Sequence, residues 1–212
     1  MRDQGALPGV RYVVFDMGGV LLELGEAGYR QSVARHLRLQ EVPPSYVDYT
    51  DALYRGEISE QELWAKLIGR PLGEEQLEAC IERFIAHFPP IEPMLEFARE
   101  LRRLGIGTAI LSNTQDVHLR AVRRMGVLDG FDPTFFSCEI GLRKPSAAAY
   151  RHVIGTLGLA PDQIAFIDDL AENVEAARAA GLHGILHAGD VEATRRAVLE
   201  LVVGSDPAAP RA

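Results

Sequence analysis

The chain has 212 residues, of which 47% are hydrophobic, and this length can bury the core of one domain with a modest insertion. Its 22 Lys and Arg residues against 30 Asp and Glu residues give a formal net charge of -8, which argues against nucleic acid or an anionic membrane as the main partner. A small phosphorylated metabolite stays compatible with this charge, because it needs only a local positive site.

The cysteines and the N-terminal residues indicate the cellular compartment in which the protein is expected. Cys80 and Cys138 match no zinc or redox spacing, which predicts reduced, packed thiols. No apolar stretch approaches the ~20 residues that span a bilayer, and the first residues lack the basic-then-apolar pattern of a signal peptide. We therefore expect a cytoplasmic protein, a monomer or a homodimer, that binds neither nucleic acid nor membrane.

Apolar runs predict strands, and amphipathic runs between them predict helices. The strands are expected at residues 10–16, 106–111, 133–138, 164–168 and 184–186. The helices are expected at residues 92–104, 115–125, 145–157 and 171–180, with Pro145 in the first turn of the third. Strands that are apolar on both faces and alternate with helices are typical of right-handed βαβ units. The pattern predicts a doubly wound, mainly parallel, Rossmann-like α/β sheet.

One segment, from about residue 23 to residue 90, contains no convincing strand. Helical patterns occur in it at residues 27–39, 45–54, 59–68 and 73–88. The prediction is a four-helix insertion over residues 24–90, with an α/β core formed by residues 1–23 and 91–212. The aromatic residues Trp64, Phe84 and Phe88 are interpreted as packing of the insertion. Residues 204–212 are expected to be a disordered tail.

Reactive side chains follow three of the predicted strands. Asp16, Ser112 and the pair Asp168-Asp169 each stand at or just after the end of an apolar run. In open α/β sheets, ligands bind beyond the carboxyl ends of the strands. These residues are therefore expected to converge on one crevice.

Asp16 is the candidate nucleophile. A carboxylate at the end of a buried strand can attack phosphorus and form an aspartyl-phosphate, which divides one difficult displacement into two easier ones. Gly18 and Gly19 follow it and would let the backbone approach a ligand, with N–H groups facing phosphate oxygens. Taken alone, the same pattern is also that of an ordinary turn.

Ser112, Asn113 and Lys144 are candidate phosphate-binding residues. Ser112 and Asn113 could donate hydrogen bonds to phosphate oxygens, although Ser112 could equally cap the helix that begins near Gln115. The Lys144 ammonium would offset the negative charge of nucleophile and phosphoryl group. The alternative for Lys144 is a solvated lysine in a loop.

Asp168 and Asp169 are candidate metal ligands. Two adjacent carboxylates close to Asp16 would repel each other unless a cation joined them. Mg²⁺ prefers oxygen ligands and bridges carboxylates to phosphate, so Mg²⁺ is the predicted cofactor. Helix capping by Asp169 would explain one aspartate but not two. Asn173 is expected to face the same site and to hydrogen-bond Lys144 or a carboxylate.

Taken in order, these residues resemble the four motifs of the haloacid dehalogenase-like hydrolase superfamily. The resemblance covers residues 11–188, and the helical insertion is placed like a type 1 cap; residues 24–90 are called the cap below. It implies that Asp16 is the nucleophile, Ser112 the phosphate-binding hydroxyl, Lys144 the third-motif lysine and Asp168-Asp169 the metal-binding pair. By the same resemblance, Asp16, the carbonyl of Gly18 and Asp169 would hold the metal, with Asp168 nearby or acting through water.

Within the superfamily, the chain is most similar to the branch that contains α-D-glucose-1-phosphate phosphatase. The shared stretches are 55–59, 111–114, 143–145, and Asp168-Asp169 with Asn173. Many phosphatases of the superfamily carry a second Asp where this chain has Gly18, and glycine cannot protonate a leaving group. The departure favours substrates whose leaving oxygen needs little protonation, such as anomeric sugar phosphates. Glu23, in the segment that leads to the cap, is a candidate to replace the missing acid; the alternative is a solvated loop residue.

The leading hypothesis is a Mg²⁺-dependent phosphatase that hydrolyses a small phosphomonoester through an aspartyl-phosphate. The first alternative is a metal-independent 2-haloacid dehalogenase, in which Asp16 would displace halide from carbon. The second is a non-catalytic protein that binds a phosphorylated ligand, motivated by the absence of an acid at Gly18. No group of cap residues indicates which phosphate ester is bound.

Overall fold

A computed structural model describes residues 9–203 of the chain. The predicted disordered tail, residues 204–212, lies outside the described residues. Within the described residues, no helix combines the length and the apolar composition needed to cross a bilayer.

Five parallel strands form one sheet in the order β3-β2-β1-β4-β5. The strands are β1 (Tyr12–Phe15), β2 (Gly107–Ser112), β3 (Thr134–Phe136), β4 (Ile164–Asp168) and β5 (His183–Leu186). Each predicted strand is present, with ends shifted by a few residues. The prediction for 133–138 is wrong at its end, because Ser137 begins a short helix in which its hydroxyl hydrogen-bonds the backbone of Thr114.

Helices cover both faces of the sheet. The core helices are α5 (Glu92–Arg103), α6 (Asp116–Arg124), α7 (Ser137–Ile140), α8 (Ala147–Leu157), α9 (Ala171–Ala179) and α10 (Val191–Val203). Alternate residues of β1 pack on opposite sides: Val13 and Phe15 belong to one hydrophobic cluster, and Val14 to the other. This arrangement confirms the doubly wound α/β prediction.

Two helix details differ from expectation. Helix α8 begins at Ala147 because the Ser146 side chain caps it by accepting a hydrogen bond from Ala148 N, so Pro145 stays in the preceding loop after a cis peptide bond. Helix α10 was not predicted. Its Val198 is fully buried, and its Arg195 forms an ion pair with Glu100 of α5, 2.6 Å apart.

Four helices lie between β1 and α5, where the insertion was predicted. They are α1 (Glu26–His36), α2 (Tyr46–Tyr54), α3 (Glu60–Ile68) and α4 (Glu74–His87). The chain enters and leaves this segment side by side, since Leu22 and Pro90 form an isolated antiparallel bridge. The division of the chain into a cap at 24–90 and a core stays a prediction.

The inserted helices pack directly on the core. Arg120 and Arg124 of α6 form ion pairs with Glu74 and Glu78 of α4. Buried cap residues such as Trp64 share one hydrophobic cluster with the strand β1. The two layers therefore enclose a space above the carboxyl ends of the strands.

Candidate functional site

The register of the sheet brings the predicted reactive residues together. Phe15 of β1 is aligned with Ile167 of β4, so Asp16 lies level with Asp168 at the carboxyl end of the sheet. Asp16 N also donates a hydrogen bond to Ile167 O at 2.8 Å. Ser112 is the last residue of β2, the neighbour of β1 on its other side.

Lys144 joins two of the aspartates. Its Nζ lies 2.7 Å from Asp16 Oδ1 and 2.6 Å from Asp168 Oδ2. Only 2% of Lys144 is exposed, and its Nζ lies 5.3 Å from the centre of the Phe166 ring. The solvated alternative for Lys144 is therefore wrong: the ammonium is buried and paired.

Asp168 is held on several sides. Besides Lys144, its carboxylate accepts hydrogen bonds from Leu170 N and from Asn173 Nδ2, the latter at 3.0 and 3.1 Å to the two oxygens. Its side chain is completely buried. These contacts leave Asp168 fewer free lone pairs than Asp169 for a ligand.

Three carboxylates lie close enough to hold one cation. One carboxylate oxygen from each of Asp16, Asp168 and Asp169 lies within 4.8 Å of the others. Burial raises the pKa of Asp16 to about 6, since the Lys144 charge only partly opposes it and Asp168 adds repulsion. Burial, with repulsion from Asp168, also raises the pKa of Asp169. A hard cation with a preference for oxygen ligands would relieve this repulsion, so the donor set fits Mg²⁺.

The turn after Asp16 places a glycine against Asp169. Gly19 adopts a φ of +71°, and a Cβ there would lie 2.4 Å from Asp169 Oδ2. The Gly19 N–H donates to Leu22 O, so it does not face a ligand as the sequence suggested. Among residues 9–203, none donates a hydrogen bond to the Gly18 carbonyl, which leaves that oxygen available.

Ser112 and Asn113, the expected phosphate-binding residues at the end of β2, differ in their contacts. Helix α6 is preceded by Gln115, and no side chain caps it, so the capping alternative for Ser112 is not observed. Ser112 is 3% exposed and lines the cavity above the sheet. The Asn113 side chain donates one N–H to Lys144 O and accepts a hydrogen bond from Lys144 N, so its second N–H stays free for a phosphate oxygen.

The structure also places Glu23 and several residues that the sequence analysis did not single out. Glu23 is exposed and lies outside the lining of the cavity, which does not support it as a proton donor. Sequence reasoning missed Glu60, His118 and three cap tyrosines, Tyr29, Tyr46 and Tyr54, all of which line the cavity. Glu60 lies between Ser59 and Glu62, which form the capping box of α3, so its place in the sequence signals only a helix start.

Comparison with known proteins bears on the family of this chain. The sequence model of the haloacid dehalogenase-like hydrolases matches residues 10–181. A sesquiterpene phosphatase from Aspergillus oryzae is 30% identical over 194 residues, 89% of this chain and 95% of that protein. A phosphatase from Mycobacterium tuberculosis is 30% identical over 188 residues, 82% of this chain and 85% of that protein.

The fold is shared with a solved haloacid dehalogenase family enzyme from Bacteroides thetaiotaomicron, in complex with magnesium and inorganic phosphate. The TM-score is 0.72 at 21% identity, covering 86% of this chain and 96% of that chain. The fold and the phosphatase relatives define this chain as a hydrolase and support phosphatase activity. The chain belongs to the haloacid dehalogenase-like hydrolase family. Neither relative is named as an α-D-glucose-1-phosphate phosphatase, so that narrower resemblance stays a prediction.

Proposed function

We propose that this chain is a Mg²⁺-dependent phosphatase that hydrolyses a small phosphomonoester through an aspartyl-phosphate on Asp16. The observation that carries the proposal is the pairing of Asp16 with the buried Lys144 ammonium, beside two further carboxylates within 4.8 Å. A nucleophile with one oxygen fixed by a cation is positioned for attack through the other oxygen.

The proposed reaction has two displacements at phosphorus. The Asp16 carboxylate attacks, an O–P bond to Asp16 forms, and the bond from phosphorus to the leaving oxygen breaks. Water then attacks the same phosphorus, the Asp16–phosphorus bond breaks, and inorganic phosphate leaves. Since Gly18 carries no acid, the leaving oxygen takes its proton from water or from the substrate itself. Substrates with good leaving groups are therefore favoured.

The other residues act by charge and position. Lys144 offsets the negative charge that gathers on Asp16 and the phosphoryl group, and Ser112 is assigned to a phosphate oxygen. Asp16, the Gly18 carbonyl and Asp169 would hold Mg²⁺, with Asp168 beside it or linked through water. When bound, Mg²⁺ supplies positive charge that lets the carboxylates and a phosphate oxygen approach one another.

The names of the relatives do not decide the substrate. The Aspergillus relative is named for a sesquiterpene substrate, whereas the branch resemblance suggests a sugar phosphate. Both possibilities require a phosphomonoester. We therefore propose only the reaction class from the carboxylate site. The residues that line the cavity above this site bear on the leaving group.

The test is steady-state hydrolysis of a chromogenic aryl phosphate. We expect turnover with Mg²⁺, its loss in EDTA, and its loss in Asp16→Asn with the far-UV spectrum unchanged. Asp162→Asn, an exposed carboxyl outside the site, is the matched control and should behave as wild type. Acid quenching of the wild type should trap one phosphoryl group on the peptide that contains Asp16.

Other outcomes would point to the alternatives. Turnover that persists in Asp16→Asn would remove Asp16 from the mechanism. Halide release from a 2-haloacid, unaffected by EDTA, would favour a dehalogenase. Binding of phosphate esters without turnover across a broad panel would favour a non-catalytic binding protein.

A further inference from the structure

A cavity of about 170 Å³ lies between the cap and the core, directly beside the proposed phosphoryl site. Met17, Gly18, Ser112 and Asn113 form its core side, and cap residues including Glu60 and Trp64 form the opposite side. A phosphate bound near Asp16 would therefore direct its leaving group into this cavity.

One wall of the cavity is aromatic. Phe84 and Phe88 are stacked, with ring centres 4.3 Å apart, and Tyr29 packs edge-on to both. The His118 ring lies 4.4 Å from the Phe84 ring. Burial, assisted by the charge of Arg30, lowers the pKa of His118 to about 3, so this imidazole is neutral at physiological pH. The wall is suited to an apolar group, which gains about 25 cal/mol for each Å² removed from water.

The charged residues of the lining do not favour a second anionic group. Arg30 already forms an ion pair with Glu26. His118 is neutral, and no other lining residue among residues 9–203 is a cation. A substrate with a carboxylate or a second phosphate would thus meet two lining carboxylates, Glu26 and Glu60, with Arg30 as the single permanent cation of the described lining.

Glu60 lines the cavity and carries one unpaired hydrogen-bonding atom. The residue is 6% exposed, and its Oε1 accepts a hydrogen bond from Trp64 Nε1 at 3.2 Å. Its Oε2 is buried and has no hydrogen-bond partner. Leaving such an atom unpaired costs about 1 to 3 kcal/mol, and a ligand donor would remove that cost.

We infer that the leaving group is an uncharged, largely apolar alcohol carrying a second hydroxyl, and that this hydroxyl donates a hydrogen bond to Glu60 Oε2. The inference deepens the proposed phosphatase function and rests on it. The aromatic wall provides affinity for the apolar body. Glu60 provides specificity for the distant hydroxyl, because a site built to pair a hydroxyl discriminates against an analogue that lacks it.

The test is a series of monophosphates of α,ω-diols with two to eight carbons, each compared with the n-alkyl phosphate of the same length. We expect the kcat/KM for the diol monophosphates to exceed the kcat/KM for a hexose 6-phosphate and for phosphoglycolate. At one chain length the hydroxyl should raise kcat/KM about tenfold over the matched alkyl compound. A preference for the hexose phosphate over every alkyl compound, or no hydroxyl effect at any length, would overturn the inference.

Glu60 is tested by two substitutions. Glu60→Met removes the polar group at similar size, and the hydroxyl preference should reverse in favour of the alkyl compound. Glu60→Gln, a milder change for folding, places an N–H₂ group where Oε2 stands. This variant should raise the ratio of turnover of the ω-methoxy alkyl phosphate to turnover of the ω-hydroxy compound. The reason is that a methoxy oxygen can accept a hydrogen bond from the new N–H₂ group but cannot donate one to a carboxylate. A hydroxyl preference that persists in Glu60→Met, or a ratio unchanged in Glu60→Gln, would contradict the role of Glu60.

Two controls separate this inference from the proposed function. Glu57→Met changes an exposed neighbouring carboxylate and should keep the wild-type preferences. Acetyl phosphate, whose small acyl group does not fill the cavity, reports on the phosphoryl site alone. If its hydrolysis does not require Asp16, the proposed function fails. If it does require Asp16 while the diol series shows no preference, only the inference about the leaving group fails.

Discussion

The side-chain amide of Asn113 and the backbone of Lys144 are joined by two reciprocal hydrogen bonds, each 2.9 Å long. Asn113 follows the end of β2, and Lys144 lies in the loop before α8. The pair therefore fixes this loop against the carboxyl end of the sheet. Because the Lys144 ammonium contacts both Asp16 and Asp168, the amide of Asn113 indirectly positions the charge at the site.

Substitution of Asn113 should separate its donor from its acceptor role. Asn113→Asp keeps an oxygen for Lys144 N but sets a carboxylate against Lys144 O, whereas Asn113→Ala removes both bonds. We expect both variants to lower kcat for the aryl phosphate more than they change KM, since the lost bonds position Lys144. The free energy of unfolding should fall by about 1 to 3 kcal/mol in the alanine variant. Unchanged kcat in both variants would show that the loop holds Lys144 without Asn113.

Removal of the buried ammonium should destabilise the fold. Lys144→Met leaves Asp16 and Asp168 buried without their cation, and breaking a buried ion pair in this way costs about 3 to 5 kcal/mol. Urea unfolding in EDTA measures the loss without a divalent cation as substitute. The double variant Lys144→Met with Asp168→Asn should be less destabilised than the sum of its single variants, because they share one interaction. Additive losses would mean that the contact does not couple the two residues.

Gly19 and Gly69 form a matched pair for testing the metal site. Both adopt positive φ, +71° and +74°, so alanine strains the backbone similarly at each. Only at Gly19 does the new Cβ overlap Asp169, while nothing lies within 4 Å at Gly69. Both variants should lose stability from the strained backbone, and Gly19→Ala should lose more, because its Cβ must also displace Asp169. Gly19→Ala alone should raise the Mg²⁺ concentration for half-maximal activity, by about tenfold or more. An equal Mg²⁺ requirement in the two variants would argue against Asp169 as a ligand.

The titration of Glu60 should make the free energy of unfolding fall as the pH rises. Burial raises its folded-state pKa from 4.5 to about 7, although the Trp64 hydrogen bond opposes the shift and Asp116 adds to it. The folded state therefore binds the proton more tightly than the unfolded state. The stabilisation is present below about pH 4.5 and is lost as the pH rises through about 7. Other titratable groups whose charges interact with Glu60 are Tyr29, Tyr46, Tyr54 and Cys80.

The measurement compares unfolding free energies at pH 5 and pH 8.5. From pH 5 to pH 8.5, the unfolding free energy of Glu60→Gln should rise by about 2 to 3 kcal/mol relative to that of the wild type, because glutamine does not titrate. Glu57→Gln, an exposed control on the adjacent loop, should follow the wild type. A pH profile of Glu60→Gln parallel to that of wild type would show that Glu60 does not remain buried and unpaired in solution.

Much of the core could be predicted because its signals are local. Each parallel strand is buried on both faces and reads as a short apolar run, and the carboxyl ends of such strands meet at one edge. Asp16, Ser112 and Asp168 were therefore recognisable as one group before their positions were known. Helix α10 was missed, and the start of α8 was misplaced, since a serine cap and not the nearby proline sets that start.

Local sequence was enough to predict where the five strands lie and that carboxylates stand at the ends of two of them, because apolar runs and the residues beside them are properties of neighbours along the chain. Three further facts emerged only from the folded arrangement: Lys144 is a buried partner of two aspartates, Asn113 binds the backbone of Lys144, and Glu60 lines a cavity. Those facts depend on segments far apart in sequence being packed together, and burial, which sets both the pairing of charges and their pKa values, exists only after that packing.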